Sequence, residues 1–199
     1  MAKVQLVKKS RKEHVCQRCR KVIAVGMPYY KGIINFHPDI IRCQECGLES
    51  WEVTTSDYQL RLGEIAYRWQ DGGVDESSID SVLSDLESLR DNTQDSLDNI
   101  PENLQDSPTA ELLQERVDNL ESVIGEVESI DLDELKSEVV SDFEDNEEVA
   151  AILEDGKDKD YDDLMADESL SGDVKGEMIT ALESKIAEAL DEALSEAEV

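Results

Sequence analysis

All four cysteines of the chain fall in two matched pairs, Cys16-Gln17-Arg18-Cys19 and Cys43-Gln44-Glu45-Cys46. No other feature restricts the fold as much. Two thiolates on one CxxC turn reach the same tetrahedral ion, and two such turns complete an all-cysteine shell with no position left for water or substrate. The pattern therefore predicts a structural zinc site with Cys16, Cys19, Cys43 and Cys46 as ligands and Zn2+ as the cofactor. Two disulfides or a thioredoxin-like redox pair are the alternatives, and they would come with a signal peptide or a βαβ pattern. The sequence shows neither.

The 23 residues between Cys19 and Cys43 have room for a hairpin that brings the two knuckles together. Lys21-Val22-Ile23-Ala24-Val25 ends at Gly26, and Pro28 to Phe36 is rich in aromatic and β-branched residues, so both read as strands. His37-Pro38-Asp39 reads as the turn, and Ile40-Ile41-Arg42 leads back to the second knuckle. Gly47 follows Cys46 and supplies the left-handed backbone that such turns use. Arg20 holds the matching place after Cys19, which makes the first knuckle less regular. His14 and His37 are read as solvated or supporting groups, because four thiolates already fill the shell. Thr54-Thr55-Ser56-Asp57 reads as a helix start, with Tyr58, Leu62, Ile65 and Trp69 on one apolar face.

Charge divides the chain near residue 70. The first 70 residues hold 12 of the 19 Lys and Arg but only 7 of the 49 Asp and Glu, and seven of the nine aromatics. Residues 1–13 are expected to form a basic arm, mobile or a single edge strand, and residues 14–70 a zinc-ribbon head with a trailing helix. Lys8, Lys9, Arg11, Lys12, Arg18, Arg20 and Lys21 are the candidate nucleic-acid or partner contacts. Four thiolates around a dication leave a net charge of −2, so Arg18, Arg20, Lys21 and Arg42 also serve to balance the site. Asp71-Gly72-Gly73 is the expected joint.

Beyond it the chain is strongly acidic and nearly free of aromatics. Ile79, Val82, Leu86, Leu89, Thr93, Leu97 and Ile100 recur at steps of three and four, as in a coiled-coil seam that Pro101 stops. Ser107 and Pro108 open a second helix with Leu113, Val117, Leu120, Ile124 and Val127 as its seam. The two predict an antiparallel hairpin, and Asp131 and Glu134 introduce a third, weaker helix with Leu135, Val139 and Phe143. These elements make up residues 71–155. Residues 156–199 are expected to hold an acidic loop, begun at Glu154, and a last amphipathic helix with Val174, Met178, Leu182, Ile186, Ala189 and Leu194. That helix either packs on the body or awaits a partner. Asp158, Asp160 and Asp162 imitate a calcium loop, but Asp163 stands where glycine is needed and Ser169 where the bidentate glutamate belongs, so an EF-hand is rejected.

The fold class that follows is α+β: a small zinc-ribbon-like β head, then a mainly α-helical acidic bundle or coiled coil. Catalytic constellations are missing from the sequence: there is no HExxH, no phosphate-cradling glycine loop and no triad set. No apolar run approaches a membrane span, and the first residues are too interrupted for a secretory signal, so a cytoplasmic protein is expected.

The motif Cys16-x-x-Cys19-x-Lys21-x-Ile23-x-x-Gly26 with Tyr29 and Tyr30, then Arg42-Cys43-x-x-Cys46 and the Thr-Thr-Ser helix start, resembles a poorly characterised family of small zinc-ribbon proteins of tailed bacteriophages. The phrases Asn99-Ile100-Pro101-Glu102-Asn103-Leu104-Gln105 and Thr109-Ala110-Glu111-Leu112-Leu113-Gln114-Glu115-Arg116 belong to the same likeness, which covers residues 14–130. It implies a ribbon head on an acidic helical body, and host cytoplasm as the location. Other members often carry a basic, tryptophan-containing stretch between the knuckles, where this chain has Ile33-Ile34-Asn35-Phe36, which weakens any carry-over of nucleic-acid contacts.

Three functions are compatible with this reading. The first is a non-enzymatic accessory or adaptor protein that meets an unidentified protein partner through the head, with the seams open to homo-oligomer formation. The second is an acidic DNA mimic that occupies the groove of a host DNA-handling or defence protein. The third is a nucleic-acid binder using the head. A merely solvated acidic surface stays open as an alternative, since charge runs on helices are usually wet faces, although such a surface would be expected to spread over the whole chain and here the acid stops at the domain boundary.

Overall fold

The computed structural model describes residues 3–33, 39–49, 51–68, 74–155 and 159–195. It is α+β, and its contacts divide it into two compact units, Met1–Glu64 and Ile65–Val199. The division falls inside a helix. Phe36, the His37-Pro38 part of the predicted turn, Trp69 and the joint Asp71-Gly72-Gly73 lie outside the described residues.

In the first unit, strands β1 (Lys3–Val7), β4 (Tyr29–Ile33) and β5 (Ile40–Cys43) form an antiparallel sheet in the order β1-β4-β5, and β2 (His14–Val15) pairs with β3 (Val22–Ile23). Of the two outcomes expected for the N-terminal segment, the edge strand is the one that forms, over Lys3–Val7. The predicted strand at Lys21–Val25 is reduced to Val22–Ile23. Because side chains alternate across a strand, register assigns each face. Val7 lies opposite Tyr29, and Tyr29 opposite Cys43, on the face that packs with Cys16, Ile23, Ile41 and Cys46.

Val4, Leu6, Tyr30, Gly32, Ile40 and Arg42 occupy the other face. There a 3₁₀ turn, Trp51–Val53, comes close over Gly32: a Cβ at Gly32 would sit 2.7 Å from Val53 Cγ1 and 3.2 Å from Leu48 Cδ2. Glycine is what lets the turn approach. Helix α1 (Asp57–Tyr67) follows, with Ser56 Oγ accepting the Gln59 N–H at its N-terminus.

The second unit is helical. Helix α2 (Ser77–Asp98) buries Ile79, Val82, Leu86, Leu89 and Thr93, five of the seven seam positions read from the sequence. Thr93 donates its hydroxyl to the Leu89 carbonyl at 2.7 Å, so the polar member of the seam costs no unpaired group. Helix α3 (Pro108–Glu128) is capped by Ser107 and buries Val117, Leu120, Ile124 and Val127, with Ala110 and Val123 beside them. The connection holds a single 3₁₀ turn, Glu102–Leu104, and the two long helices make the most extensive helix contact in the unit, so they lie antiparallel.

The hairpin is not left alone. Helix α7 (Gly172–Ser195) packs on α3 and on α4 (Leu132–Asp142), and α6 (Tyr161–Ala166) also meets α4. Of the two outcomes expected for the last helix, internal packing is the one seen. Its buried row is Val174, Met178, Leu182, Ile186, Leu190, Ala193 and Leu194, so Leu190 and not Ala189 fills the seam.

The expected acidic loop from Glu154 onward is corrected in part. Helix α5 runs over Glu147–Asp155, and α6 begins at Tyr161, which is buried together with Leu164. Asp160, a would-be calcium ligand, accepts the Asp163 N–H at 2.9 Å as the helix cap, and Asp158 lies outside the described residues. Asp131 caps α4 through the N–H groups of Asp133 and Glu134, and among the described residues Glu134 returns no bond to the Asp131 N–H. Among the described residues, no helix is long and apolar enough to cross a membrane.

Candidate metal centre

The two knuckles are built alike. The Arg20 N–H donates to the Cys16 carbonyl at 3.0 Å, and the Gly47 N–H to the Cys43 carbonyl at 3.2 Å. Each of these residues takes a positive φ, 61° at Arg20 and 65° at Gly47. The first knuckle therefore has the regular shape after all, with an arginine in the place that favours glycine.

Strand β5 and the β2–β3 ribbon carry the knuckles; Cys16 N–H donates to the Lys21 carbonyl at 2.9 Å within the ribbon, and Gln17 N–H joins the first knuckle to β5 through the Ile41 carbonyl at 3.0 Å. Four sulfurs converge as a result. One Sγ from each of Cys16, Cys19, Cys43 and Cys46 lies within 4.8 Å of the others, and none is in a disulfide. The Cys19 and Cys43 sulfurs are 3.7 Å apart. A tetrahedral zinc–thiolate site, with metal–sulfur bonds of about 2.3 Å, sets its sulfurs about 3.8 Å apart. The donor set fits a divalent ion held by four thiolates.

Protonation tells the same story. Burial works against the Cys16 thiolate, but amide hydrogen bonds from Cys19, Cys43 and Arg18 and the Cys19 thiol outweigh it and lower its pKa to about 6. At Cys46 burial and hydrogen bonds to the other three thiols, together with the negative Cys16, push the pKa up to about 12. Burial and mutual repulsion thus oppose a full set of four thiolates unless a cation lies among them.

A brace of buried charge, invisible in the sequence, backs the centre. Glu52, on the 3₁₀ turn, has only 4 % of its side chain exposed. Its Oε1 accepts Arg42 Nε at 2.9 Å and also Arg42 Nη2, while its Oε2 lies 3.2 Å from Arg18 Nη2 and accepts the Glu49 N–H at 3.0 Å. Arg18 further donates Nη1 to the Cys46 carbonyl at 2.9 Å. Gln17, inside the first CxxC, accepts from Ile41 N–H and Arg42 Nη1 through one oxygen. One carboxylate thus ties an arginine of each knuckle to the other. The only trace of this in the sequence is an acid between two apolar residues, Trp51 and Val53.

The brace corrects one expected surface contact. Arg18, with 9 % of its side chain exposed, is turned inward and is not a surface group. Lys21 is exposed and paired with Glu45, and the pair raises the lysine pKa and lowers that of the glutamate. Lys8, Lys9, Arg11, Lys12 and Arg20 are exposed. His14 stacks on Tyr29, with ring centroids 4.7 Å apart, instead of joining the sulfurs. His37 lies outside the described residues.

Comparison with protein-family models, with curated proteins and with solved structures gives no match. The centre is read from its own geometry.

Proposed function

We propose that the four-cysteine centre holds one structural zinc ion and that the protein is a non-enzymatic adaptor, a bacteriophage accessory protein whose head recognises a protein partner. The observation that carries this reading is the convergence of four sulfurs, joined by no other His, Cys, Asp or Glu among the described residues and braced by Glu52. Such a site shapes a surface; it does not activate water. Membership of the phage zinc-ribbon family rests on the motifs at residues 14–130, and so does the host cytoplasm as the place of action.

Affinity purification of the tagged protein from infected cells, with and without nuclease, tests the adaptor role. A protein recovered equally in both supports it. Recovery that disappears with nuclease would replace it by nucleic-acid binding through the head.

One observation favours DNA mimicry by the body as a second reading. Outside their buried seams, α2 exposes Asp80, Glu87, Asp91, Asp95 and Asp98, and α3 exposes Glu111, Glu115, Asp118, Glu121 and Glu128. Carboxylates along two antiparallel rods offer a basic cleft the same attraction as a phosphate array. Displacement of duplex DNA from a host nuclease or polymerase, weakening as salt rises, is the expected result. If no member of a panel releases DNA at roughly 50 mM salt, where such contacts are strong, the mimic reading fails.

A further inference from the structure

Among the described residues, the outer edge of the head's sheet is open. Strand β1 pairs with β4 on one side only, and among the described residues no backbone or side-chain group bonds to its other side. An edge strand presents a row of N–H donors and C=O acceptors to whatever extended chain comes alongside. Proteins blunt such edges with proline, bulges, a covering loop or charged side chains, and of these β1 carries Lys3. Lys3-Val4-Gln5-Leu6-Val7 has no proline, and its register with β4 is unbroken over all five residues.

Side chains on the edge say what kind of strand it suits. Val4 and Leu6 share the sheet face that Leu48 and Val53 cover at Gly32, yet they themselves are 47 % and 44 % exposed. Two apolar positions two residues apart await apolar partners on one face. Charge supplies the rest. Elsewhere in the head, Arg18, Lys21, Lys31, Arg42 and Arg61 each pair with a carboxylate. Lys3, Lys8, Lys9, Arg11 and Lys12 are all exposed and have no carboxylate partner among the described residues. Apart from Arg20, exposed and likewise without a carboxylate partner among the described residues, the unneutralised cations of the head are gathered on the edge strand and the five residues after it.

From these observations we propose that β1 is a docking edge for an acidic, extended segment of a partner protein, which adds as a fourth strand. Its apolar residues alternate with acids: the apolar ones lie over Val4 and Leu6, and the acids meet Lys3 and the cations of residues 8–12. Backbone pairing distinguishes this occupant from single-stranded nucleic acid, which cannot supply alternating donors and acceptors to a strand edge. Like charge distinguishes it from a second copy, because β1 laid against β1 would bring two sets of these cations together. The proposal rests on the reading of the head as the recognising part, and it specifies what that part recognises.

The test uses the full-length, zinc-loaded chain against a displayed library of random segments roughly twelve residues long, enough for one strand with flanks. Enrichment of sequences in which Asp or Glu alternates with Val, Ile, Leu or Phe is expected. An enriched peptide, followed by fluorescence anisotropy, should lose at least about tenfold in affinity when its alternate amides are N-methylated, since only the strand ladder is removed. The variant V4E/L6E should lose as much, with zinc content and circular dichroism unchanged. If that variant does not fold, K8E/K9E alters only exposed side chains outside the strand and should weaken the peptide by a similar factor.

Binding that is indifferent to N-methylation, or a library that returns basic sequences or nothing, overturns the proposal. An oligothymidine that competes equally well assigns the edge to nucleic acid. A dimer that V4E/L6E abolishes assigns it to a second copy. If V4E/L6E still recovers the same protein from cells, the adaptor reading stands and only the edge is excluded.

Discussion

Arg20 and Gly47 occupy the same place in the two knuckles, one residue past the second cysteine, and hold nearly the same left-handed backbone at φ 61° and 65°. An L-residue with a side chain pays roughly 1–2 kcal/mol for that conformation. Substituting R20G should therefore stabilise the head by up to about 1 kcal/mol, after the larger entropy of glycine in the unfolded chain is set against the gain. G47A should destabilise it by about 1 kcal/mol or more. Chemical denaturation of the zinc-loaded protein measures both, and an R20G protein less stable than its parent would show that the arginine's contacts outweigh its strain.

Glu52 joins two arginines in a nearly dry site, so removing its charge strands both. E52Q keeps the shape and should cost about 3–5 kcal/mol, the usual penalty for breaking one partner out of a buried ion pair. E49Q, at an exposed side chain three residues away, should change stability by no more than about 0.5 kcal/mol. Faster release of metal to a chelator in E52Q, but not in E49Q, is the kinetic counterpart.

Metal analysis should return about one zinc per chain, and C16S or C43S should unfold the head. Apparent zinc-binding energies of roughly 10–16 kcal/mol exceed what so small a core supplies unaided. A cooperative transition untouched by chelator in a protein without zinc would sink the assignment.

Acid should release the ion in two regimes. With a pKa of about 12, Cys46 carries its proton throughout the neutral range when no metal is bound, and that proton must leave on binding. Affinity should thus fall at least about tenfold per pH unit lost, since each unit is 1.4 kcal/mol for each proton taken up. Below about pH 6, where free Cys16 also takes a proton, the fall should steepen. Competition with a chromophoric chelator from pH 8 to pH 5 measures the slope, and a flat profile would exclude thiolate ligation by Cys46.

In the helical unit, I186A or M178A should cost about 2–5 kcal/mol, because both side chains are fully buried against neighbouring helices. I179A, at an exposed position on the same helix, should cost little. Equal effects from buried and exposed positions would mean that α7 is not packed. Added salt should raise the unit's melting temperature, as the screening length falls from about 30 Å at 0.01 M to about 8 Å at 0.15 M.

What the sequence discloses depends on how locally each feature is encoded. The thiol cluster was legible because CxxC spacing by itself brings two ligands to one ion. Seams of α2 and α3 were legible because twenty or so residues of one period leave little choice, and the structure buries Ile79 to Thr93 in turn. Helices α5 and α6 are too short to show a period, and their acids imitate a loop until Tyr161 and Leu164 are seen inside. Leu190 takes the place expected of Ala189 because the buried row of α7 advances in steps of four from Val174 to Leu194, where a step of three was expected after Ile186. Glu52 was illegible for another reason. Its partners lie 10 and 34 residues away, and only the sheet brings them together.

The same brace sets the size of the smallest portable head. All four ligands have appeared by Cys46, yet the carboxylate that joins their arginines and the valine that fills the space over Gly32 arrive only with Trp51-Glu52-Val53. A fragment cut just after the second knuckle would own every ligand and lack its keystone. During synthesis, the nascent chain passes through that state: it gains the means to capture an ion several residues before it gains the means to hold it rigidly.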